Sequence, residues 1–490
     1  MTEDSNALQP VNFPRHERRG VIIGLQWYQL ALACGGILIA AVASAIGGSG
    51  ALIGSSPAWS FLLLLGFLQY ERTPYPLWAL TGARYLLRKL TGQTTYFLPT
   101  EDPVPVGTLV LPGGLAALAI HRTTTGECFV VDAQAHEAFA VLRCRAGAFA
   151  LLDDEDKAYA VQAWSRVQAA LAKRAVVARI AIQDHTVQFP ATALQDYYDQ
   201  QSANRRAGAP ATGWGDSAYR DPIAAAGTAS SHEILLTLVM NTAKARRRIH
   251  DAGGGTTGLE ATLRSEIHAL RTGLKTHGVV VEEWLGDRSL AAVIRGAFDP
   301  ESVMRTSQRT GAFHGVDPAQ AGPMALEEHW SYIRTDSGFH QTFWIAEWPR
   351  QKVFPGFLHP LVYVGGFKHT VTQVIKAIPT DQALKDIRSA HEAHETRRRI
   401  NTRFDRPTTR EQRAEEEEVQ QREEEIVAGH GDVRPAAYIT ITGDSLEELS
   451  SHRQELESAA ASAFVELRLL VGEQWPAFIA GGLPLGRGLK

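Results

Sequence analysis

Residues 20–70 read GVIIGLQWYQLALACGGILIAAVASAIGGSGALIGSSPAWSFLLLLGFLQY, and this stretch contains no Asp, Glu, Lys or Arg. Its first half, residues 22–46, consists mostly of Ile, Leu, Ala, Val and Gly. A helix that crosses a hydrocarbon core of about 30 Å needs about 20 such residues. The run is too long for the apolar region of a signal peptide. The sequence therefore predicts a transmembrane helix here rather than the buried helix of a soluble core.

The second half of this stretch is interrupted. Residues 47–50 form a Gly/Ser turn, and the apolar run of residues 51–70 contains Pro57, which is favoured in the first turn of a helix. A helix that starts at Pro57 has only about 14 residues before Glu71, which is short for a membrane span. Two interpretations stay open. Either the second helix starts earlier and kinks at Pro57, or it continues toward Trp78.

Basic residues flank this predicted hairpin, residues 20–70, on both sides. The candidate site residues are these membrane-flanking basic side chains: Arg15, Arg18, Arg19, Arg72, Arg84, Arg88 and Lys89. The connecting turn carries no charge, so the positive-inside rule places both termini in the cytosol and makes this a multi-pass protein of the cell membrane. Residues 1–19 are then a cytosolic tail.

Residues 71–93 are predicted to form a basic juxtamembrane helix, because apolar and basic residues alternate along it. Such a helix either lies on the anionic inner leaflet of the membrane or packs on the soluble part of the chain. The sequence leaves both alternatives open.

The composition fits a packed globular body. Of the 490 residues 44% are hydrophobic and 21% are charged, and the formal net charge of −4 argues against direct nucleic-acid binding. Cys34, Cys128 and Cys144 have no paired spacing, so they are predicted to be reduced and mostly buried thiols in a reducing compartment.

The remainder of the chain predicts an α+β protein with a two-lobed cytosolic α/β body. In residues 94–190, short apolar runs separated by turns precede a helix, which indicates a first α+β domain. Residues 191–230 are rich in Gln, Ala, Gly and Ser and predict a helix and linker. Residues 231–490 predict a second α/β domain. Its highly charged segment, residues 381–428, predicts a helical hairpin that projects into solvent or binds a partner.

No catalytic template is satisfied. The glycines of GGGTTG, residues 253–258, have the spacing of a phosphate loop, but Leu259 and Glu260 stand where Lys and Ser or Thr are required. His391 and His394 are three residues apart, whereas the zinc-protease motif needs four. We therefore expect no catalytic residue, no cofactor, no metal and no enzymatic activity. A membrane enzyme with an unrecognised site is the opposing hypothesis.

The order of these features resembles parts of bacterial type IV secretion. The basic tail, charge-poor hairpin and basic helix resemble its small two-span PrgI-type proteins. The following region is similar to the N-terminal part of the conjugation ATPase. The motifs that carry this similarity are AFAVLR at 138–143 with Trp164, FWIAEWP at 343–349, YITITGDSLEEL at 438–449 and LPLG at 483–486. The similarity does not extend to a motor domain, and actinobacterial conjugative elements carry two-span proteins of this outline.

This resemblance implies a non-catalytic inner-membrane subunit of a conjugation or type IV-like apparatus. Such a subunit would contact the lipid bilayer, a separate motor ATPase and a second copy of itself. The EccE-type component of type VII secretion is the alternative family, because it also combines two N-terminal spans with a cytosolic body. The Trp-Pro strand and the charged hairpin favour type IV over EccE. A membrane-tethered adaptor unrelated to secretion is the third alternative.

Overall fold

In a computed structural model, the described residues fall into two compact units. The residues that the structure describes are 27–70, 73–98, 108–147, 149–189, 229–275, 278–307, 314–403, 407, 410–427 and 431–488, with short pieces within 195–202 and at 218–223. The first unit, here called the body, comprises residues 95–388 and 420–488. The second unit comprises residues 27–94 and 389–419.

The apolar stretch forms two helices with a short reversal after them. These elements are α1 (Trp27–Gly54), α2 (Ser56–Phe67), β1 (Gln69–Tyr70), β2 (Thr73–Pro74) and α3 (Tyr75–Leu90). Helix α1 loses helical geometry at Gly48, where φ is 60° and ψ is −149°. Only glycine adopts this backbone conformation readily.

The second helix starts before Pro57. Ser55 N donates to Ala51 O at 2.9 Å and Trp59 N donates to Ser55 O at 3.3 Å, so helical hydrogen bonding continues past the proline, which has no N–H to lose. The helix ends at Phe67, since Leu68 is extended. Continuation toward Trp78 is therefore wrong. Helix α2 begins at Ser56 with Pro57 in its first turn, so a kink at Pro57 is not shown either. The chain instead reverses through β1 and β2.

The body contains one 13-stranded sheet whose strand pairs are all antiparallel. Its strands are β3 (Thr95–Phe97), β4 (Leu118–Arg122), β5 (Cys128–Asp132), β6 (Glu137–Arg145), β7 (Val177–Phe189), β8 (Ala229–Asn241), β9 (Val280–Trp284), β10 (Ala325–Glu328), β11 (Ile333–Arg334), β12 (Phe339–Glu347), β13 (His369–Ile378), β14 (Asp432–Gly443) and β15 (Glu466–Leu469). The main strand order is β3-β10-β11-β12-β14-β13-β7-β8-β6-β5-β4, with β15 beside β12 and β9 beside β6.

This sheet does not confirm two lobes. Strand β7, from the predicted first domain, pairs with β8 on one side and with β13 on the other, and both neighbours belong largely to the predicted second domain. Alternating apolar residues indicate where strands lie but not which strand is the neighbour, so the sequence pattern could not separate one sheet from two. The segment 191–230 lies largely outside the described residues, and its role as a linker stays a prediction.

Helices cover both faces of this sheet. They are α4 (Asp154–Ala172), α5 (Thr242–Asp251), α6 (Gly255–Lys275), α7 (Asp287–Phe298), α8 (Ser302–Ser307), α9 (His359–Val362), α10 (Thr380–Arg403), α11 (Arg410–Val427), α12 (Leu446–Ser462) and α13 (Gln474–Gly481). Helix α4 is capped by Asp153, whose side chain accepts from Asp156 N. Cys128 and Cys144 are buried free thiols, as predicted, whereas Cys34 is exposed on α1. The apolar pattern around Cys34 does not report burial, because all sides of α1 are apolar.

Helices α10 and α11 confirm the charged helical segment. Cross-helix ion pairs join them near their connection, with Arg397 Nη1 3.0 Å from Glu415 Oε2. Toward the other end, Ala383, Ile387 and Ile426 are buried. The part of this segment that belongs to the body therefore packs apolar positions at helical spacing into the core, and its projection into solvent or toward a partner stays a prediction.

Candidate functional site

The N-terminal apolar helix is the first candidate site. Helix α1 is the one helix among the described residues that is long and apolar enough to cross a membrane. Its large side chains are exposed, with Leu38 64% and Ile46 83% accessible. In α2, Phe61 is 63% exposed. A core helix of a soluble protein buries such side chains, so their exposure favours a lipid environment.

The contacts between α1 and α2 are close and include one buried polar group. A Cβ at Gly36 would lie 3.2 Å from Trp59 O, and a Cβ at Gly66 would lie 3.5 Å from Leu32 Cβ. The buried Gln29 Nε2 donates to Gly66 O at 3.2 Å. Small residues that admit close approach, together with an interhelical hydrogen bond, are typical of helix packing in membranes.

The predicted basic flanks are only partly described. Arg15, Arg18, Arg19 and Arg72 lie outside the described residues. Arg84, Arg88 and Lys89 lie on α3, and the last two belong to its final turn. Arg84 and Lys89 are exposed, while Arg88 is half-buried. The structure thus places these three on one basic helix that directly follows the apolar segment.

A second candidate site lies in the body, where a C-terminal segment crosses the sheet. This strap, residues 481–488, is held by side chains of four strands that donate to its backbone carbonyls. The bonds are Thr372 Oγ1 to Gly481 O at 2.6 Å, Gln183 Nε2 to Leu483 O at 2.9 Å, Thr237 Oγ1 to Pro484 O at 3.2 Å, Arg179 Nε to Gly486 O, and Tyr438 Oη to Gly488 O at 2.7 Å. The strap therefore accepts hydrogen bonds from polar side chains that the sheet buries, among them Gln183, Thr237 and Thr372.

Sequence reasoning missed the donors to the strap. The signal lies in β7, β8 and β13, where Gln183, Thr237 and Thr372 stand on a face of the sheet that is otherwise expected to be apolar. A run of polar residues at inward positions of central strands indicates that a backbone segment covers them. The LPLG motif lies within the strap.

An open cavity of about 1090 Å³ lies beside the strap. Two ion pairs form part of its wall: Arg179 forms two 2.6 Å hydrogen bonds with the Glu137 carboxylate, and Arg487 pairs with Asp132. Lys244 and Lys376 also line it. The described lining residues include no Ser, Thr, Cys or His.

Buried histidines form another polar feature of the body. His185 Nδ1 and Thr370 Oγ1 are 3.1 Å apart, and His340 contacts Thr335 and Thr442 at 2.7 and 2.9 Å. Burial disfavours the charged imidazolium and lowers the pKa of His185 to about 4 and that of His340 to about 3. Both rings are therefore neutral at pH 7 and serve as hydrogen-bonding groups of the sheet.

The glycine-rich segment forms a tight turn between α5 and α6. Gly253 N donates to His250 O and Gly254 N donates to Ile249 O, so these amides cap the preceding helix. A Cβ at Gly258 would lie 2.1 Å from Ile249 O, which explains the glycine by close helix packing. This geometry is that of a tight turn between two packed helices and does not support a phosphate loop.

The histidine pair of the charged segment forms no metal centre in the described structure. His391 and His394 lie on α10, the first exposed and the second half-buried. Among the described residues, no group of three or more His, Cys, Asp or Glu side chains is arranged to hold a metal ion.

One part of the body matches the model of a known protein family. Residues 228–345 match a family model described as "EccE: Putative type VII ESX secretion system translocon, EccE". The match covers about a quarter of the chain, from β8 to β12 with α5 to α8 between them. The comparison with curated proteins gives no match.

The EccE match favours the EccE resemblance over the type IV resemblance. It supports a secretion-system component, together with the N-terminal apolar helix. The match gives no support to the type IV resemblance. Its last residues, 343–345, belong to the FWIAEWP motif on which the type IV resemblance partly rests. Short motifs in a common order were weaker evidence than the similarity of one continuous segment.

Proposed function

We propose that this chain is a non-catalytic membrane component of an EccE-type secretion translocon. The observation that carries the proposal is the EccE match over residues 228–345, combined with an apolar helix whose side chains are exposed. No feature of the described structure favours a subunit of a conjugation apparatus over a translocon component.

The apolar segment then crosses the membrane twice. Gly48 breaks the helix, and the close contacts of Gly36 with Trp59 and of Gly66 with Leu32 run in antiparallel order. Residues 49–67 supply the second limb, and at 1.5 Å per residue they reach about 28 Å. Both termini are cytosolic under this arrangement. Reporter fusions at Gly48 and Lys490 test it, and an exterior signal at Lys490 would contradict it.

The partners of the body are other subunits of the translocon, and we include a motor ATPase among them. The charged helices α10 and α11 are the element we assign to partner contact, because mixed charges set register and give salt-sensitive binding. Their tip, residues 389–419, belongs to the second unit and not to the body, so its replacement leaves the residues of the body unchanged.

The decisive experiment is affinity purification from membranes of the native host, followed by mass spectrometry. We expect other translocon subunits to co-purify with the intact chain. Replacing residues 389–419 by a Gly/Ser linker is expected to reduce recovery of the motor and to lower secretion while the protein stays folded and membrane-bound. A variant with charge-preserving changes in the same helices, Arg397→Lys with Glu415→Asp, serves as the control. Co-purification with conjugation proteins instead would overturn the EccE assignment.

The absence of catalysis is part of this proposal. Glu260 stands where a phosphate loop has its hydroxyl residue, and the amides of Gly253 and Gly254 donate within their turn. We expect no saturable binding of labelled ATP to the purified protein. Saturable binding that is lost on changing residues 253–258 would contradict this part of the proposal.

A further inference from the structure

Helix α3 (Tyr75–Leu90) exposes its apolar side. With 100° of rotation per residue, six apolar residues fall within an arc of about 120°. They are Ala79, Leu80, Ala83, Leu86, Leu87 and Leu90. Leu80 is 46% exposed, Leu87 is 62% exposed and Leu90 is 75% exposed, and no residue of α3 is buried. Nothing in the described structure covers this leucine face.

The other side of α3 is the one that faces protein. Trp78, Thr81, Gly82 and Tyr85 are half-buried and recur at helical spacing opposite the leucines. A helix on a water-soluble body directs its apolar stripe inward and its polar side outward. Helix α3 instead turns its leucines outward, which favours an apolar outer environment over water.

The start of α3 is fixed at the end of the apolar segment. The strands β1 and β2 pair Gln69 with Pro74, and Tyr75 N donates to Leu68 O at 3.2 Å. The helix therefore begins beside the last residues of the second limb. If the two limbs cross the bilayer, α3 starts at the depth of its cytosolic interface.

The positive charge of α3 favours contact with an anionic surface. The segment from residue 73 to residue 100 contains no Asp or Glu. Arg84 and Lys89 are exposed and fall on the two flanks of the leucine face. Basic side chains in these positions reach headgroups while their methylene stems cover apolar surface.

We propose that α3 lies in the cytosolic interface of the membrane, with its leucine face in the acyl region and with Arg84 and Lys89 on anionic lipid headgroups. The proposal rests on the membrane placement of α1 and α2. It resolves the choice between a lipid-bound and a body-packed juxtamembrane helix. The lipid is identified by its chemistry: an acyl layer with negatively charged headgroups.

Spin-label accessibility in bilayers tests this placement on the full chain. Leu87→Cys reports the leucine face, Val42→Cys reports α1 and Ser451→Cys reports an exposed site on the body, each with Cys34→Ser. Bilayers of phosphatidylcholine with phosphatidylglycerol are used, with oxygen as the apolar relaxation agent and a nickel chelate as the polar one. We expect residue 87 to be accessible to oxygen and shielded from nickel, as at residue 42, and residue 451 to show the opposite preference.

Each other outcome has a defined meaning. If residue 87 behaves like residue 451 while residue 42 favours oxygen, the interfacial helix is refuted and the membrane hairpin stands. If residue 87 is shielded from both agents, a protein surface or a second copy covers the leucine face, and the lipid assignment is overturned. If residue 42 itself favours nickel, the membrane placement of the hairpin fails.

The headgroup contact has its own measurement. The immersion of residue 87 is compared in bilayers with and without the anionic lipid. One basic residue near an anionic surface contributes about 1 kcal/mol, which is about a fivefold preference. We expect a preference for anionic bilayers that the Arg84→Gln, Lys89→Gln pair removes, while Arg84→Lys retains it. An equal response of all variants to the anionic lipid would refute the headgroup contact.

Discussion

The apolar helices α1 and α2 and the central strands of the body use the same residue types in opposite ways. Leu38 of α1 is 64% exposed, whereas Leu238 of β8 is fully buried. In the strands, leucines are removed from water by helices and by neighbouring strands. In α1, large apolar side chains such as Ile37, Leu38 and Ile46 face outward, and in the proposed arrangement a bilayer supplies their apolar surroundings. Apolar content alone therefore does not tell which medium a segment occupies; the exposure of its side chains does.

Their polar groups differ in the same way. The sheet buries many polar side chains and satisfies them in pairs, such as Thr342 with Thr440 at 3.0 Å. Helices α1 and α2 bury Gln29, which bonds a backbone carbonyl of the facing helix. A folded core with many strands offers side-chain partners, whereas two helices in lipid offer mainly each other.

The largest expected effect comes from removing the apolar segment. A chain that starts at Thr94 lacks α1, α2 and α3, so we expect it to leave the membrane fraction completely and to stay folded. Sedimentation and circular dichroism measure both properties. A chain that starts at Thr73 retains α3, and we expect it to sediment with anionic vesicles but not with neutral ones. An insoluble, unfolded body in the first case would show that the apolar helices belong to its core.

A matched pair of substitutions tests the comparison directly. Leu238→Ala is expected to destabilise the body by about 2–5 kcal/mol, because it leaves a cavity among buried side chains. Leu38→Ala, the same change on an outward position of α1, is expected to leave the unfolding of the body unchanged. Denaturant unfolding in detergent, followed by intrinsic fluorescence, measures both. Equal destabilisation by the two changes would mean that α1 is part of the folded core.

Acidification should act on the body through its buried histidines. Unfolded histidines bind protons below about pH 6.5. Folded His185 and His340 do so only near pH 4 and 3. The contribution of these neutral histidines to the free energy of unfolding is therefore fully present above pH 6.5. It falls as the pH is lowered toward 4, by about 1.4 kcal/mol per pH unit for each histidine.

Denaturant midpoints between pH 7 and 5 measure this slope before most carboxylates begin to titrate. We expect His340→Gln to reduce the slope. A flat profile between pH 7 and 5 in the unaltered chain would show that these rings are accessible to protons in the folded state.

The smallest expected effect concerns the strap. Gly486 has φ of 60°, and a Cβ there would lie 2.5 Å from Val239 Cγ2. Gly486→Ala is expected to cost at least about 1–2 kcal/mol from the backbone conformation alone. Gly366→Ala, where a Cβ meets nothing within 4 Å, is the control. If both variants have the same thermal midpoint, the strap does not contribute to the stability of the sheet.

The amino-acid sequence by itself determined the apolar segment, the charge distribution around it and most of the elements of the body. Strands such as β12 and β13 and helices such as α4 follow from local patterns, because alternation, helical spacing and capping residues act within one element. The glycines at 253–258 could also be recognised as a turn, since the residues after them do not fit a phosphate loop.

Only the tertiary structure decided which strands are neighbours, where the strap lies and which side of α3 is outward. These properties depend on residues far apart in the chain: β7 meets β13, and Gln183 meets Leu483. The sequence pattern of α3 is compatible with two orientations, since an amphipathic helix packs equally well on a body or on a membrane. Exposure of its leucines favours the membrane orientation, because burial is a property of the folded surroundings rather than of the residue.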